Sequence, residues 1–297
     1  MFPCPENVKV HFAGTEQPDF ALCAHAAGVQ YYLYTVFPFI CRKMGIKGFP
    51  LIYRKHCFSP EAIASFSRHS IMDSGLFTLM FGAHQGERSK GFLLDWMDAL
   101  CDFVKTHRIP STCVEIDCQR ILGVEEAWEF RKRFRDKLPD NRQINVFHLP
   151  DGQKGLDRLI EFSDYIAISV PEWRLHRRKD YFRGVYRTAS YIKNRKPEID
   201  IHLLGCTDVK LLKTCRFCSS ADSTTWLMST RTKEIDKRHV SRLNRTIREK
   251  YERMAEQVLD TLKVEKRTEK TIAYLSHAII AAWLLKQKYA KAAGSQD

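Results

Sequence analysis

Short runs rich in β-branched and aromatic residues recur along the chain, each closing on small or polar residues. They are VKVHFAG (8–14), FPLIYRK (49–55), SIMDSG (70–75), TCVEID (112–117), INVFHL (144–149), YIAISV (165–170), IHLLGC (201–206) and CRFCSSADS (215–223). Between them, apolar positions recur at three- and four-residue intervals, which predicts helices over 60–68, 91–107, 124–136 and 154–162, with further helices at 21–44, 180–194 and 207–213. Strand–helix alternation of this kind builds a parallel sheet. Eight strands within about 215 residues fit a closed (β/α)₈ barrel better than an open sheet. Asp73, Asp117, His148, Glu172 and Asp222 strengthen that choice, since all stand at or just beyond strand ends. A barrel gathers those ends on one face, whereas an open sheet spreads them along a crevice.

After Trp226 the pattern turns helical, over 233–266 and 268–291. Residues 1–230 are thus expected to form the barrel. Residues 231–297 would be a helical extension packed on it through the apolar face of TIAYLSHAIIAAWLLKQKYA, ending in an unstructured AAGSQD tail.

Composition narrows the class. With 44% apolar and 28% charged residues the 297-residue chain reads as a soluble globular protein. No apolar run is long enough for a membrane span, and MFPCPENVKVHF lacks the layout of a secretory signal, so a cytoplasmic protein is expected, in the host cytoplasm if phage-encoded. Ten scattered cysteines in mostly apolar segments predict reduced, buried thiols. The net charge of +13 is clustered: residues 174–196 hold nine Lys/Arg against the single acid Asp180, with Tyr181, Phe182, Tyr186 and Tyr191 interleaved. This segment predicts a phosphate-binding surface carried by Arg174, Arg177, Arg178, Lys179 and Arg183. Residues 231–270 are basic too, but contain enough Glu and Asp to be an ordinary solvated helix.

The strand-end carboxylates carry the candidate chemistry. Asp73 in IMDSGLF and Asp222 in FCSSADSTTW each also fit a turn or helix-cap role. Glu115 and Asp117 should share a face if their strand is regular, leaving one of them free to join a core ion pair. His148 and His202 read first as satisfied structural histidines. Two carboxylates on one barrel face permit double displacement at a sugar carbon. One attacks C1′ while the other protonates the leaving group, as in retaining glycosidases, whose carboxyl groups stand about 5–5.5 Å apart. Spacing alone does not choose nucleoside over glycoside.

In this order, DSGLFTL, VEID, YIAISVPE, HLLGCTD and SSADSTTW resemble the tRNA-guanine transglycosylase superfamily, most of all its DNA-modifying branch, the DpdA-type 7-deazaguanine DNA transglycosylases. The likeness spans about residues 8–227. It implies a barrel that swaps guanine for a free 7-deazaguanine base, such as preQ₀, through a covalent glycosyl-Asp intermediate. On the matched positions Asp222 would be the nucleophile and Asp73 the acid/base group. Ser74 and Phe77 would touch the base, Phe77 by stacking. Asp117 would accept hydrogen bonds from the guanine N1 and N2 edge, with Ser169, Glu172 and His148 lining the pocket. Leu76 and Thr78 depart from the family's DSGGFQ, and the paired glycines of its GGLAVGE are absent from AISVPE.

The tRNA enzymes carry a CxCxxC…H zinc site after the nucleophile, and no such pattern follows Asp222. No cofactor is therefore expected. A structural zinc at Cys215, Cys218, Cys206 and His239 stays open but is disfavoured, because Cys215 and Cys218 fall in the predicted eighth strand. The expected partners are DNA and the free base, with a homodimer or companion modification enzymes in addition and no membrane. Three rivals remain: an RNA-acting member of the same superfamily, a non-catalytic nucleic-acid-binding partner subunit, and a barrel glycoside hydrolase. The last usually displays several Trp platforms, whereas only Trp173 and Trp226 lie near strand ends here.

Overall fold

In a computed structural model describing residues 8–47, 57–81, 89–206, 208–227 and 245–293, eight parallel strands close into a barrel. The strands are β1 (Lys9–Ala13), β2 (Tyr31–Thr35), β3 (His69–Asp73), β4 (Thr112–Val114), β5 (Gln143–Phe147), β6 (Tyr165–Ser169), β7 (Asp200–Leu204) and β8 (Ser220–Ser223). Each pairs with the next, and β8 closes on β1 with Asp222 opposite His11. The chain is a (β/α)₈ barrel with additional C-terminal helices.

Seven strands lie where the sequence predicts them; the second does not. β2 falls inside 21–44, which reads as one helix but is split into α1 (Pro18–Ala26), β2 and α2 (Phe37–Lys43). The sequence YYLYT explains the split. Tyr32 and Tyr34 are fully buried while Tyr31, Leu33 and Thr35 are half-buried, a period-two pattern that suits aromatic residues on a two-faced strand. The expected strand at 49–55 lies outside the described residues. β8 is also shorter than expected. Helix α11 (Val209–Thr214) runs up to Cys215, and Cys215 and Cys218 sit in the turn before the strand, where the Cys218 N–H donates to the Cys215 carbonyl at 2.8 Å.

Helices α3 (Pro60–Phe66), α5 (Lys90–His107), α7 (Val124–Lys137), α8 (Gly152–Phe162) and α10 (Tyr181–Arg195) follow the predicted periodicity, while the short helices α4 (Leu76–Phe81), α6 (Gln119–Leu122) and α9 (Val170–His176) come in addition. Beyond the barrel come α12 (Arg245–Thr261) and α13 (Glu269–Ala293). The expected helix at 233–266 is described only from Arg245, and Ala292 and Ala293 of the expected tail are helical. Helix α13 packs on α1, α11 and α12, and the Tyr289 hydroxyl meets the Ser223 hydroxyl of β8 at 3.0 Å. The extension therefore covers the barrel wall beside β8. No described helix is long and apolar enough to cross a membrane.

Alternation along the strands sorts side chains between the lumen and the helical shell. Ile71, Val114, Ile144, Val146, Tyr165 and Ala167 form an apolar cluster separate from the main core, with Leu33 and Leu204 packed against it. These are the inward positions, and they fill the barrel as expected for this architecture. The lumen also carries polar residues. His11 Nε2 lies 2.8 Å from His69 Nδ1, and His69 Nε2 lies 3.0 Å from the Thr112 hydroxyl. Burial lowers the pKa of both His11 and His69, which keeps these rings neutral.

Candidate active site

Two residues beyond Ile71 on the same inward row of β3 stands Asp73, at the strand's C-terminal end. The turn that follows fixes it. Gly75 has φ +76°, and a Cβ there would lie 2.9 Å from the backbone of Phe37, so this position requires glycine. The Gly75 N–H donates to Asp73 Oδ1 at 2.7 Å, and the Trp96 indole donates to the Ser74 carbonyl at 3.0 Å. Ser74 itself is buried. Burial pushes the Asp73 carboxyl up to about 6. The charges of Asp222 and Asp117 add to that, against the Gly75 and Thr35 hydrogen bonds. Asp73 is therefore poised to give and take a proton near neutrality.

Asp222 follows Ser220 on the inward row of β8. Its Oδ1 accepts from the Gly205 N–H at 2.6 Å and from His202 Nε2 at 3.1 Å. Gly205 has φ +62°, and a Cβ there would come within 2.9 Å of Pro171, so the sequence supplies glycine at a second turn that turns an N–H toward a carboxylate. His202 Nδ1 lies 2.6 Å from the Ser220 hydroxyl, which in turn lies 2.5 Å from the Tyr165 hydroxyl. With Ser220 donating to Nδ1, the His202 proton sits on Nε2 and points at Asp222. Both donors fall on Oδ1, leaving Oδ2 as the oxygen without a donor among the described residues.

The opposite rim holds a charged chain. Strand β4 ends at Val114, and beyond it Glu115 and Asp117 part instead of sharing a face. Glu115 enters the shell, where both its oxygens meet buried Arg131 at 2.7 and 2.9 Å. Asp117 turns to the mouth, where His148 Nε2 lies 2.7 Å from its Oδ1. On its other side His148 Nδ1 lies 3.5 Å from Glu172, which also accepts from Arg120 at 3.0 Å and from the Leu149 N–H at 3.3 Å. Burial opposes a charge on His148, but the hydrogen bonds and charges of Asp117 and Glu172 outweigh it and raise the imidazole to about 10. Burial likewise opposes ionisation of Glu172, yet His148 and Arg120 bring it down to about 2. The rim is thus an ordered run of alternating charge, Asp117, His148, Glu172, Arg120.

The structure brings Asp73, Asp222, Asp117, His148 and Glu172 to one end of the barrel. Ser169 stands there too, but its hydroxyl accepts from the Glu172 N–H at 3.3 Å and so starts the helix that carries Glu172. The Phe77 side chain lies outside the described part of the structure. Trp226 is fully buried with its indole on the Ala13 carbonyl, so it offers no sugar platform. Arg177, Arg178 and Lys179 are exposed on the connection from β6 to α10 and Arg183 on α10 itself, and Arg174 lies over the Tyr181 ring at 5.2 Å.

Three residues escaped the sequence reading. Arg120 comes from the short helix α6 and has no periodic signal. His202 was visible only as a strand histidine. Glu16 follows β1 in GTEQ, a strand–Gly–acid signature like that at Asp73. It is buried, accepts from the Thr35 N–H at 3.4 Å, and is pushed up to about 7 by burial, with Asp73 adding to the shift.

The nine described cysteines are free thiols. Cys206, Cys215 and Cys218 are buried, and burial pushes the Cys206 thiol up to about 12; His239, the fourth candidate zinc ligand, lies outside the described residues. Among the described residues no group of three His, Cys, Asp or Glu side chains is placed to hold a metal.

Fold and site together define the class: a (β/α)₈ barrel with several acidic groups at its mouth, two of which, Asp73 and Glu16, are pushed up to about 6 and about 7. No family model matches the chain, and a search of curated proteins finds no match.

Proposed function

We propose that this protein exchanges guanine in DNA for a 7-deazaguanine through a glycosyl ester on Asp222. The observation that carries the reading is the division of labour between two inward carboxylates: Asp222, with Oδ1 held and Oδ2 free, and Asp73, raised to about 6. One suits attack and the other proton transfer, as double displacement at a sugar carbon requires.

The target nucleotide leaves the stack, because C1′ and the base edge are otherwise covered. Asp117 accepts from the guanine N1–H and N2–H, donors that match a carboxylate. Asp222 Oδ2 attacks C1′ as the bond to N9 breaks, and the proton of Asp73 passes to the departing base. The 7-deazaguanine enters the same pocket and returns a proton to Asp73. Its ring nitrogen displaces Asp222 and restores the starting enzyme. The His148–Glu172–Arg120 chain keeps Asp117 aimed, and the exposed Arg177, Arg178, Lys179 and Arg183 take the phosphates. Such an enzyme works in the cytoplasm, where free base and nucleic acid meet.

The test is mass spectrometry of nucleosides after incubation with preQ₀ and either duplex DNA or tRNA. A 7-deazaguanine nucleoside in DNA and none in tRNA is expected. Modified tRNA with unmodified DNA would move the reading to RNA, and no exchange in either would end it.

A further inference from the structure

The rim that carries the basic cluster also carries one apolar side chain that does not belong with it. Leu175 is 74% exposed; among the described large apolar residues the next most exposed is Val124 at 42%. A lone exposed leucine is ordinary on a protein surface. This one differs in its mounting and its neighbours.

It sits on α9, three residues beyond buried Glu172, whose carboxylate is tied to Arg120, His148 and the Leu149 N–H. The next residue, Trp173, packs against the core so closely over Gly184 that a Cβ at Gly184 would lie 2.0 Å from its ring. Arg174 then stacks over Tyr181, whose hydroxyl donates to Asp208 at 2.5 Å. Three successive residues thus fix the helix to the barrel, and the fourth projects outward. Around it in sequence stand Arg174, His176, Arg177, Arg178 and Lys179, with Arg177, Arg178 and Lys179 exposed.

Resting on the DNA-exchange reading, we propose that Leu175 is a wedge that enters a nucleic-acid duplex and fills the space left when the target base is drawn into the barrel. Charge complementarity selects the partner: a cationic surface brings a polyanion against the rim, and an apolar tip within it has base stacks as its apolar counterpart. Rigid mounting matters because a side chain that must hold open a base step works best without ordering cost. The helix also links the wedge directly to the pocket wall through Glu172, so insertion and base capture occur on one rigid element.

The experiment uses a DNA duplex with 2-aminopurine at the target position, read by fluorescence on binding, alongside exchange assays on duplex and on single-stranded DNA. Wild type should raise the fluorescence as the base unstacks. Leu175→Ala should lose that rise and lower duplex exchange by roughly tenfold to a hundredfold, the scale of burying one leucine. Single-stranded exchange should change by less than about twofold, because no stack has to be opened, and Leu175→Phe should retain duplex exchange. Equal losses on both substrates, or an unchanged duplex signal in Leu175→Ala, would overturn the wedge. Absence of any modified nucleoside with wild type would instead strike the exchange reading, leaving the fluorescence comparison to judge the wedge by itself.

Discussion

Replacing Asp73 by Asn isolates the feature on which the proton chemistry rests. In the unfolded chain this carboxyl ionises near 3.8, whereas burial holds it at about 6 in the fold. A raised carboxyl pKa means that the native state binds the extra proton. Below pH 4 both states are protonated and Asp73 costs nothing. Between about pH 4 and 6 the native state loses ground as the unfolded chain ionises first, and above pH 6 the full penalty stands. A shift of about two units corresponds to about 3 kcal/mol at 1.36 kcal/mol per unit. The partial exposure of the site and the loss of the Thr35 contribution reduce the net effect to about 2 kcal/mol. Asparagine keeps an oxygen for the Gly75 N–H but cannot ionise. Asp73→Asn should therefore match wild type in urea denaturation at pH 4 and exceed it by about 2 kcal/mol at pH 8, or roughly 3–6 °C in Tm. The same variant should lose base exchange. Equal stability at both pH values, or a loss at pH 8, would refute the account of Asp73 as a buried carboxyl whose ionisation is pushed up to about 6.

Other consequences are as direct. The raised His148 stabilises the fold fully below its unfolded value of 6.5 and loses that contribution as pH rises through about 10. The lowered Glu172 stabilises fully above 4.5 and loses it as pH falls through about 2. His148→Gln should therefore cost about 2 kcal/mol at pH 6 and progressively less toward pH 10, measured by urea denaturation across that range. Glu115→Ala strands buried Arg131, which should cost about 3–5 kcal/mol in the same assay, whereas exposed Glu129→Ala should fall within about 0.5 kcal/mol of wild type. Gly205→Ala forces a side chain into φ +62° against Pro171, with a stability cost of about 1–2 kcal/mol, and displaces the N–H that holds Asp222. Its exchange rate should drop at least tenfold with DNA affinity unchanged, read by single-turnover kinetics and filter binding.

Much of this molecule is legible in its sequence because barrel strands punctuate themselves. IMDSG and YIAISV each pass from an apolar strand into a turn or helix start, and that passage marks where a strand reaches the mouth. β2 was missed because YYLYT lies between two helix-forming stretches, and its aromatic alternation is short enough to pass as helix periodicity. Asp73 and Asp222 are legible as strand-end acids because each can be read one at a time. The environment of each is not. The Gly205 N–H reaches Asp222 from 17 residues away, and His148 joins Asp117 across 31 residues. Glu115 and Asp117 part only because β4 stops at Val114, and the ladder that ends a strand depends on its neighbours rather than on its own residues. The eighth-strand placement of Cys215 and Cys218 failed for a similar reason: α11 extends to Thr214, and the cysteines belong to the turn after it.

Trapping the Asp222 ester tests the account most directly. Incubating the protein with guanine-containing DNA in the absence of any incoming base, quenching in acid and digesting with trypsin should yield a deoxyribosyl adduct on the peptide containing Asp222. Asp222→Asn should give none. An adduct on another residue, or base exchange at the wild-type rate by Asp222→Asn, would contradict it.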